Sequence, residues 1–224
     1  MKLLIASDIH GSADAALAIA DCVKAEEPDR IVLLGDLLYH GPRNPLPTGY
    51  DPMRVAAILN GWKDRIVAVR GNCDSEVDQM VLEFPCRSDY ALIEADGHLL
   101  HLSHGHLPGN APDDLPPLPE GSAFVSGHTH VKKLERSGGV LLVNPGSPSL
   151  PKDDVPSYAL YENGVFYLKT LNGAVRLLSS RCGAGACRRC FSQCRARWRC
   201  ALTFCRATPR EALRLRVSKA RISG

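Results

Sequence analysis

The sequence predicts an α/β domain in which two packed sheets carry helices on their outer faces. Three observations predict it. The first half alternates short β-branched or leucine-rich runs with amphipathic stretches. From Tyr90 onward the chain turns to short strands separated by glycine turns, with little helix between them. Each of the first three apolar runs ends on a glycine or serine beside a carboxylate or amide. A chain of 224 residues, 45% hydrophobic and 23% charged, has ordinary globular composition, which argues against collagen-like, wholly disordered and disulfide-stapled classes.

Lys2–Ser7 reads as a buried strand ending in Asp8-Ile9-His10-Gly11. Ser12 is placed to cap a helix over about residues 13–25, because its hydroxyl can satisfy an orphan backbone N–H of the first turn. Arg30–Leu34 is the next strand, ending in Gly35-Asp36, and a Pro/Gly/Asn-rich loop (Gly41–Tyr50) leads to a helix over about residues 52–61. Arg65–Val69 is the third strand, ending in Gly71-Asn72. The second half offers strands at Tyr90–Ala95, His98–Ser103, Ala123–Ser126, Val140–Val143, Ser157–Tyr161 and Val165–Thr170. Gly138-Gly139 and Asn163-Gly164 are tight-hairpin signals, and Pro108–Pro119 reads as a surface loop.

The strand ends collect one kind of chemistry. Asp8, His10, Asp36, Asn72, His104, His128 and His130 offer imidazole nitrogen and hard oxygen, a donor set that suits Mn, Fe or Zn rather than soft metals or iron–sulfur clusters. In open sheets ligands gather outside the carboxyl ends of strands, so these endings converge. Seven ligands exceed one tetrahedral ion, whereas two ions sharing a bridging carboxylate would use them all, with Asp36 the natural bridge. Such pairs clamp the oxygens of a phosphoryl transfer and lower the pKa of a bound water. Taken singly, Asp8 reads equally as a helix-start residue and Asp36 as a turn former, His40, His98 and His101 read as ordinary surface or core histidines, and His106 reads equally as a solvated residue or as one approaching the site from its neighbour's loop. Arg43 and Asn44 read as solvated loop residues within reach of a phosphate, and Asn144-Pro-Gly-Ser147 as a turn shaping the site wall.

The blocks Asp8-Ile9-His10, Gly35-Asp36, Gly71-Asn72-Cys73-Asp74, His104-Gly105 and Gly127-His128-Thr129-His130 stand in the order of the calcineurin-like metallophosphoesterases, which the chain resembles. The wording SDIHGS, LGDLLYHGPRN, VRGNCDSEVDQM, SHGHL, GHTH and NPGS is similar to the small bacterial YfcE-type phosphodiesterases, from about residue 1 to 175. The resemblance implies a two-sheet sandwich flanked by helices, in four αββα layers. It also implies one ion held by Asp8, His10, Asp36 and His130 and another by Asp36, Asn72, His104 and His128. Manganese is the first expectation, with zinc, nickel and iron(II) also fitting. Asn72, Cys73 and His104 are the catalytic candidates. Cys73 stands where many family members carry a histidine, and a thiol is a poorer proton shuttle than imidazole.

Charge divides the chain. Residues 1–180 hold 15 Lys and Arg against 23 Asp and Glu, a net of −8, and residues 181–224 hold 12 against 1, a net of +11. Six of the nine cysteines also lie in the last 44 residues. We therefore read a metallophosphoesterase domain over residues 1–178 and an Arg/Cys-rich tail over residues 179–224. Cys187, Cys190, Cys194 and Cys200 lack a second C-x₂-C pair for a zinc ribbon. Interleaved Arg and aromatics would suit a nucleic-acid arm. The wording fits best as translation of GC-rich DNA in a shifted frame, an expectation of disorder.

The functional expectation is a phosphodiesterase acting on a small phosphoester through a dinuclear centre and bridging hydroxide. The alternatives are a phosphomonoesterase, or a non-catalytic protein-binding scaffold of the same fold. No apolar run approaches the ~18–20 residues of a membrane span, and Leu3–Ala6 is too short for a signal-peptide core. A cytoplasmic protein is expected, with no membrane partner, nucleic acid bound only non-specifically through the tail, and room for a homo-oligomer.

Overall fold

In this computed structural model, residues 1–180 are described. The segment 181–224, with the readings made on it, lies outside the described residues. In chain order the strands are β1 (Lys2–Ala6), β2 (Arg30–Leu33), β3 (Ile66–Ala68), β4 (Tyr90–Ala95), β5 (His98–Ser103), β6 (Ala123–Val125), β7 (Lys133–Ser137), β8 (Val140–Asn144), β9 (Ser157–Glu162), β10 (Val165–Thr170) and β11 (Val175–Ser180). Helix α1 (Ala13–Glu26) links β1 to β2, and α2 (Pro52–Asn60) lies between β2 and β3.

Both helices start where the sequence supplies caps. The Ser12 hydroxyl accepts from the Ala15 amide at 3.2 Å and itself donates to the Thr48 carbonyl at 2.7 Å, joining the helix start to the following loop. Asp51 accepts from the Arg54 amide ahead of Pro52, whose fixed φ suits the first helical position. Each cap contributes about 1 kcal/mol.

Two sheets form, ordered β11-β10-β9-β1-β2-β3 and β4-β5-β6-β8-β7. β1, β2 and β3 run parallel in the first, and β5, β6 and β8 run parallel in the second. β1 is buried on both faces, which explains its unbroken apolar run. Leu4 and Ala6 pack toward α1 and α2, with Ile19, Val23, Val55 and Leu59. Leu3 and Ile5 pack the other way into the core between the sheets, against Leu102, Val125, Val143 and Phe166.

The two-sheet α/β sandwich is the expected class. Its fourth layer, however, is not helical among the described residues. The outer face of the second sheet, at Phe124, Val140 and Leu142, is covered by Leu115 and Leu118 of the proline-rich segment. Those prolines remove backbone donors and favour extended φ, so the cover is a strap rather than a helix. Two further strands, β7 and β11, lie beyond the sequence expectation, and β11 pairs with β10 as far as Ser180. No helix among the described residues is long and apolar enough to cross a membrane.

Candidate metal centre

All the candidate ligands leave the carboxyl ends of parallel strands. Asp8 and His10 follow β1, Asp36 follows β2, Asn72 follows β3, His104 follows β5, and His128 and His130 follow β6. The turns that carry them are sharp. Asp8, His10, Asp36, His128 and His130 all hold positive φ, between 51° and 66°. Asp and His tolerate this region better than most side chains, yet each such residue still costs on the order of 1 kcal/mol, and such strain concentrates at working sites. Two motif glycines are required by close approach: a Cβ on Gly71 would collide with the Asp36 carboxylate, and one on Gly127 with Ser7 and Asp8.

Each buried carboxylate has one oxygen fixed and one aimed inward. Asp8 Oδ2 accepts from the His128 amide at 3.0 Å, and Asp36 Oδ1 accepts from the Cys73 amide at 2.8 Å. Their other oxygens face imidazoles. Asp8 Oδ1 lies 3.3 Å from His130 Nε2 and 3.7 Å from His10 Nε2, while Asp36 Oδ2 lies 3.4 Å from His104 Nε2 and 3.7 Å from His10 Nε2.

The histidines are oriented by the backbone. His10 Nδ1 meets the Tyr39 carbonyl at 2.8 Å, His104 Nδ1 the Leu34 carbonyl at 2.7 Å, and His130 Nδ1 the Leu150 carbonyl at 2.7 Å. A carbonyl only accepts, so Nδ1 carries a proton in each and Nε2 is the nitrogen turned into the site, a lone-pair donor in the neutral ring. This is the arrangement that fixes the tautomer of metal-binding histidines. His10 Nε2 and His130 Nε2 approach to 3.2 Å, and Asn72 Oδ1 lies 3.0 Å from His104 Nε2.

Electrostatics favours positive charge here. Burial opposes ionisation of Asp8 and Asp36, yet the facing imidazoles and backbone donors hold both below the usual carboxylate range. Burial also opposes a charged His104, but Asp36 and Asp8 outweigh it and raise the ring to about 9. Asp8 Oδ1 is buried with no hydrogen-bond partner. An orphaned carboxylate oxygen among convergent Nε2 atoms fits a divalent cation by its own chemistry, since a bare buried carboxylate oxygen is otherwise costly.

Three groups of possible ligand atoms lie within 4.8 Å of one another: Asp8, His10 and His130; Asp8, Asp36 and His104; and His10, Asp36 and Cys73. The structure thus draws Asp8, His10, Asp36, His104 and His130 into one cluster, with Asn72 against His104. His128 belongs to none of the three groups, and its ring sits edge-on to His104 at 5.1 Å between centroids. His106 joins the periphery, 5.2 Å from His104. His101 is elsewhere, stacked between Tyr90 and Phe124 and hydrogen-bonded to Asn110.

Some supporting contacts go beyond the roles read from the sequence. Asp74 accepts from the amides of Asp36, Leu37 and Gly71 at 2.7–2.8 Å, clamping the turn that presents Asp36. Burial and the Asp36 charge raise its carboxyl to about 6. Ser147 and Ser149 both donate to the Asp8 carbonyl. The fixed distance of Asp74 from Asn72 in its motif was the available signal for the first, and the Asn-Pro-Gly-Ser turn for the second. Above the cluster opens a cleft of about 950 Å³, whose lining includes Tyr39, Arg43, Asn72, Cys73, Thr129 and Lys152.

The model of the calcineurin-like phosphoesterase superfamily domain matches residues 1–163. The chain belongs to that superfamily. A calcineurin-like phosphoesterase of this kind is a hydrolase of phosphate esters that works with divalent metal ions. The chain is 45% identical over 173 residues to phosphodiesterase YfcE of Escherichia coli K12, covering 77% of this chain and 93% of that protein. It is 28% identical to the probable metallophosphoesterase YsnB of Bacillus subtilis, covering 68% and 78%. The solved structure of the E. coli phosphoesterase YfcE superposes with a TM-score of 0.77 at 41% identity, covering 80% of this chain and 99% of that one.

Proposed function

We propose that this phosphoesterase hydrolyses a small phosphodiester at a dinuclear centre. Asp8, His10, Asp36 and His130 would hold one divalent ion, and Asp36, Asn72, His104 and His128 the other. Manganese is the ion we assign first, within a donor set of imidazole nitrogen and hard oxygen that iron and zinc also fit. The observation that carries the reading is the pairing of Asp8 and Asp36. Each has one oxygen fixed by a backbone amide and the other turned toward Nε2 atoms.

When bound, divalent ions supply Lewis-acid charge that activates water and neutralises phosphoryl oxygens. The protein holds the geometry. The three carbonyl-bound histidines keep their lone pairs aimed inward, and Asp74 fixes the Asp36 turn. Asn72, with its amide nitrogen donating to Cys73 Sγ at 3.2 Å, stands on the cleft side where an ester oxygen would lie. Cys73 is kept as the protonated thiol, because burial and the Asp36 charge push it up to about 12. The Tyr39 ring, 43% exposed and packed edge-to-face with His40, lines the same cleft. We place the protein in the cytoplasm, with a small phosphoester rather than a membrane or polymer as its partner, and leave a homo-oligomer open to sedimentation analysis.

The test is metal stripping and reconstitution with Mn, Mg, Zn, Ni or Co, followed by chromogenic mono- and diesters, on the parent and on Asp36→Asn. The parent is expected to take up two ions and turn over diesters faster than monoesters. Asp36→Asn is expected to hold one ion or none and to lose turnover. A folded Asp36→Asn with two ions and near-normal rate would remove the bridge, and a monoester preference would remove the diesterase assignment.

A further inference from the structure

The cleft carries two cations that the metal chemistry does not use. Most cations of the described residues are already occupied. Lys2, Lys24, Lys63, Arg70, Arg87, Lys132, Lys133 and Lys169 sit in ion pairs, and the Arg30 and Arg65 side chains donate to backbone carbonyls. Arg43 and Lys152 have no such partner, and both line the cleft. They do so in a body whose net charge over residues 1–180 is −8, so cations placed at the cleft offset a net field that disfavours an anionic substrate.

Neither cation hangs on a loose segment. The segment bearing Arg43 is tied down at its carboxyl end by Ala13 N to the Gly49 carbonyl and Asp51 N to the Gly11 carbonyl, ahead of its amino end by Gly11 N to the Leu37 carbonyl and His10 Nδ1 to the Tyr39 carbonyl, and within by Asn44 Nδ2 to the His40 carbonyl at 2.9 Å. Its Gly41 packs against Cys73. On the other side, the Lys152 amide donates to the His130 carbonyl, and neighbouring Asp153 is held by Lys132. Two anchored backbones from separate parts of the chain therefore present one cation each to the same opening, next to Cys73 on one side and His130 on the other.

We propose that Arg43 and Lys152 form a second phosphate subsite, selecting phosphodiesters whose ester arm ends in a further phosphate group. The inference rests on the phosphodiesterase reading of the same centre. A scissile phosphate at the metal cluster leaves the rest of an open cleft of about 950 Å³ for the arm, a volume within the ordinary range of small-ligand sites. A terminal phosphate matches this pair better than a neutral arm does, because a guanidinium can grip two of its oxygens and an ammonium adds point charge. The opening is solvated, so the selectivity must weaken with salt.

The test uses the full metal-loaded chain and two substrates with the same leaving group: 4-nitrophenyl thymidine 5′-phosphate, and that compound bearing a 3′-phosphate. The parent is expected to prefer the 3′-phosphorylated substrate in kcat/KM by on the order of tenfold at low salt, as two exposed charge contacts allow, with the gain shrinking at high salt. Arg43→Gln with Lys152→Gln is expected to abolish the preference. Arg136→Gln, an exposed cation on the edge strand β7 and outside the cleft lining, is expected to retain it. A parent without preference, or a preference that survives the double variant, overturns the subsite. A second arm measures calorimetric binding of thymidine 3′,5′-bisphosphate against thymidine 5′-phosphate to both proteins. Should neither diester be hydrolysed, the phosphodiesterase reading fails, and the change in that binding ratio still decides the subsite.

Discussion

Cys73 is the residue at which chemistry and sequence pattern part. Its amide supports Asp36, its thiol faces the cleft beside Asn72, and burial together with the Asp36 charge keeps it protonated at neutral pH. A proton held that firmly gives little help to a departing alkoxide, whereas an imidazole titrates where the reaction runs. Cys73→His is therefore expected to retain metal and to raise rates most for basic leaving groups. A plot of log kcat/KM against leaving-group pKa should be shallower in Cys73→His than in the parent, and equal slopes would take Cys73 out of proton transfer. The ligand candidates were legible in the sequence because five short blocks bring chemically matched side chains to strand ends. Asp74 was legible only as a letter in its block. Its role depends on three backbone amides of two separate turns, and amide direction is set by tertiary placement rather than by residue type. The same holds for the Tyr39, Leu34 and Leu150 carbonyls that orient the histidines, since any residue supplies a carbonyl.

Among the elements, α1 illustrates how the far end of the molecule is secured. Its last residue, Glu26, accepts from the Tyr158 hydroxyl of β9 at 2.8 Å, pairs with Lys169 of β10, and lies 3.6 Å from Lys2 of β1. Burial would raise its carboxyl, but Lys169 and Tyr158 outweigh that and lower it from 4.5. A folded pKa below the unfolded one stabilises the fold above about pH 4.5, and that contribution is lost as the pH falls. Glu26→Gln leaves the largely buried Lys169 without its charge partner, so urea unfolding at pH 7 should show a loss on the order of 1–3 kcal/mol. The gap between parent and variant should narrow toward pH 3. A pH-independent gap would mean that packing, not charge, explains the loss. Strands buried on one or both faces, such as β1 and β5, were readable because burial forces an apolar pattern. β7 was not. It is an edge strand with sequence Lys-Leu-Glu-Arg-Ser and three of its five residues exposed, and charged edges carry little apolar signal while discouraging aggregation. β11 was hidden for a related reason, as an edge strand running directly into the arginine-rich segment.

On the scale of the whole molecule, every candidate ligand lies between residues 8 and 130, and the cleft lining reaches no further than Lys152. The ladder that closes the first sheet ends with β11 at Ser180, where Val165 of β10 pairs with it. Catalysis and fold therefore make different demands on the carboxyl-terminal part of the chain. A protein ending at Ser180 keeps the full ladder and sheds a segment of charge +11. Attraction between that segment and a body of −8 would act through exposed ion pairs, worth roughly 0–1 kcal/mol each and screened by salt. Against this stands the ordering entropy of 44 residues, on the order of 1–2 kcal/mol per residue for the backbone alone, with little continuous apolar sequence to offset it. The protein ending at Ser180 is expected to keep its Tm and phosphoesterase rate within error, in reductant and at matched salt. One ending at Ala174 loses β11 and exposes the hydrogen-bonding edge of β10, whose Phe166 and Leu168 are wholly buried between the sheets. Its Tm should fall by several degrees, since about 1 kcal/mol shifts a domain of this size by roughly 2–4 °C. A comparable fall in the protein ending at Ser180 would place the arginine-rich segment within the fold and end the shifted-frame reading of it.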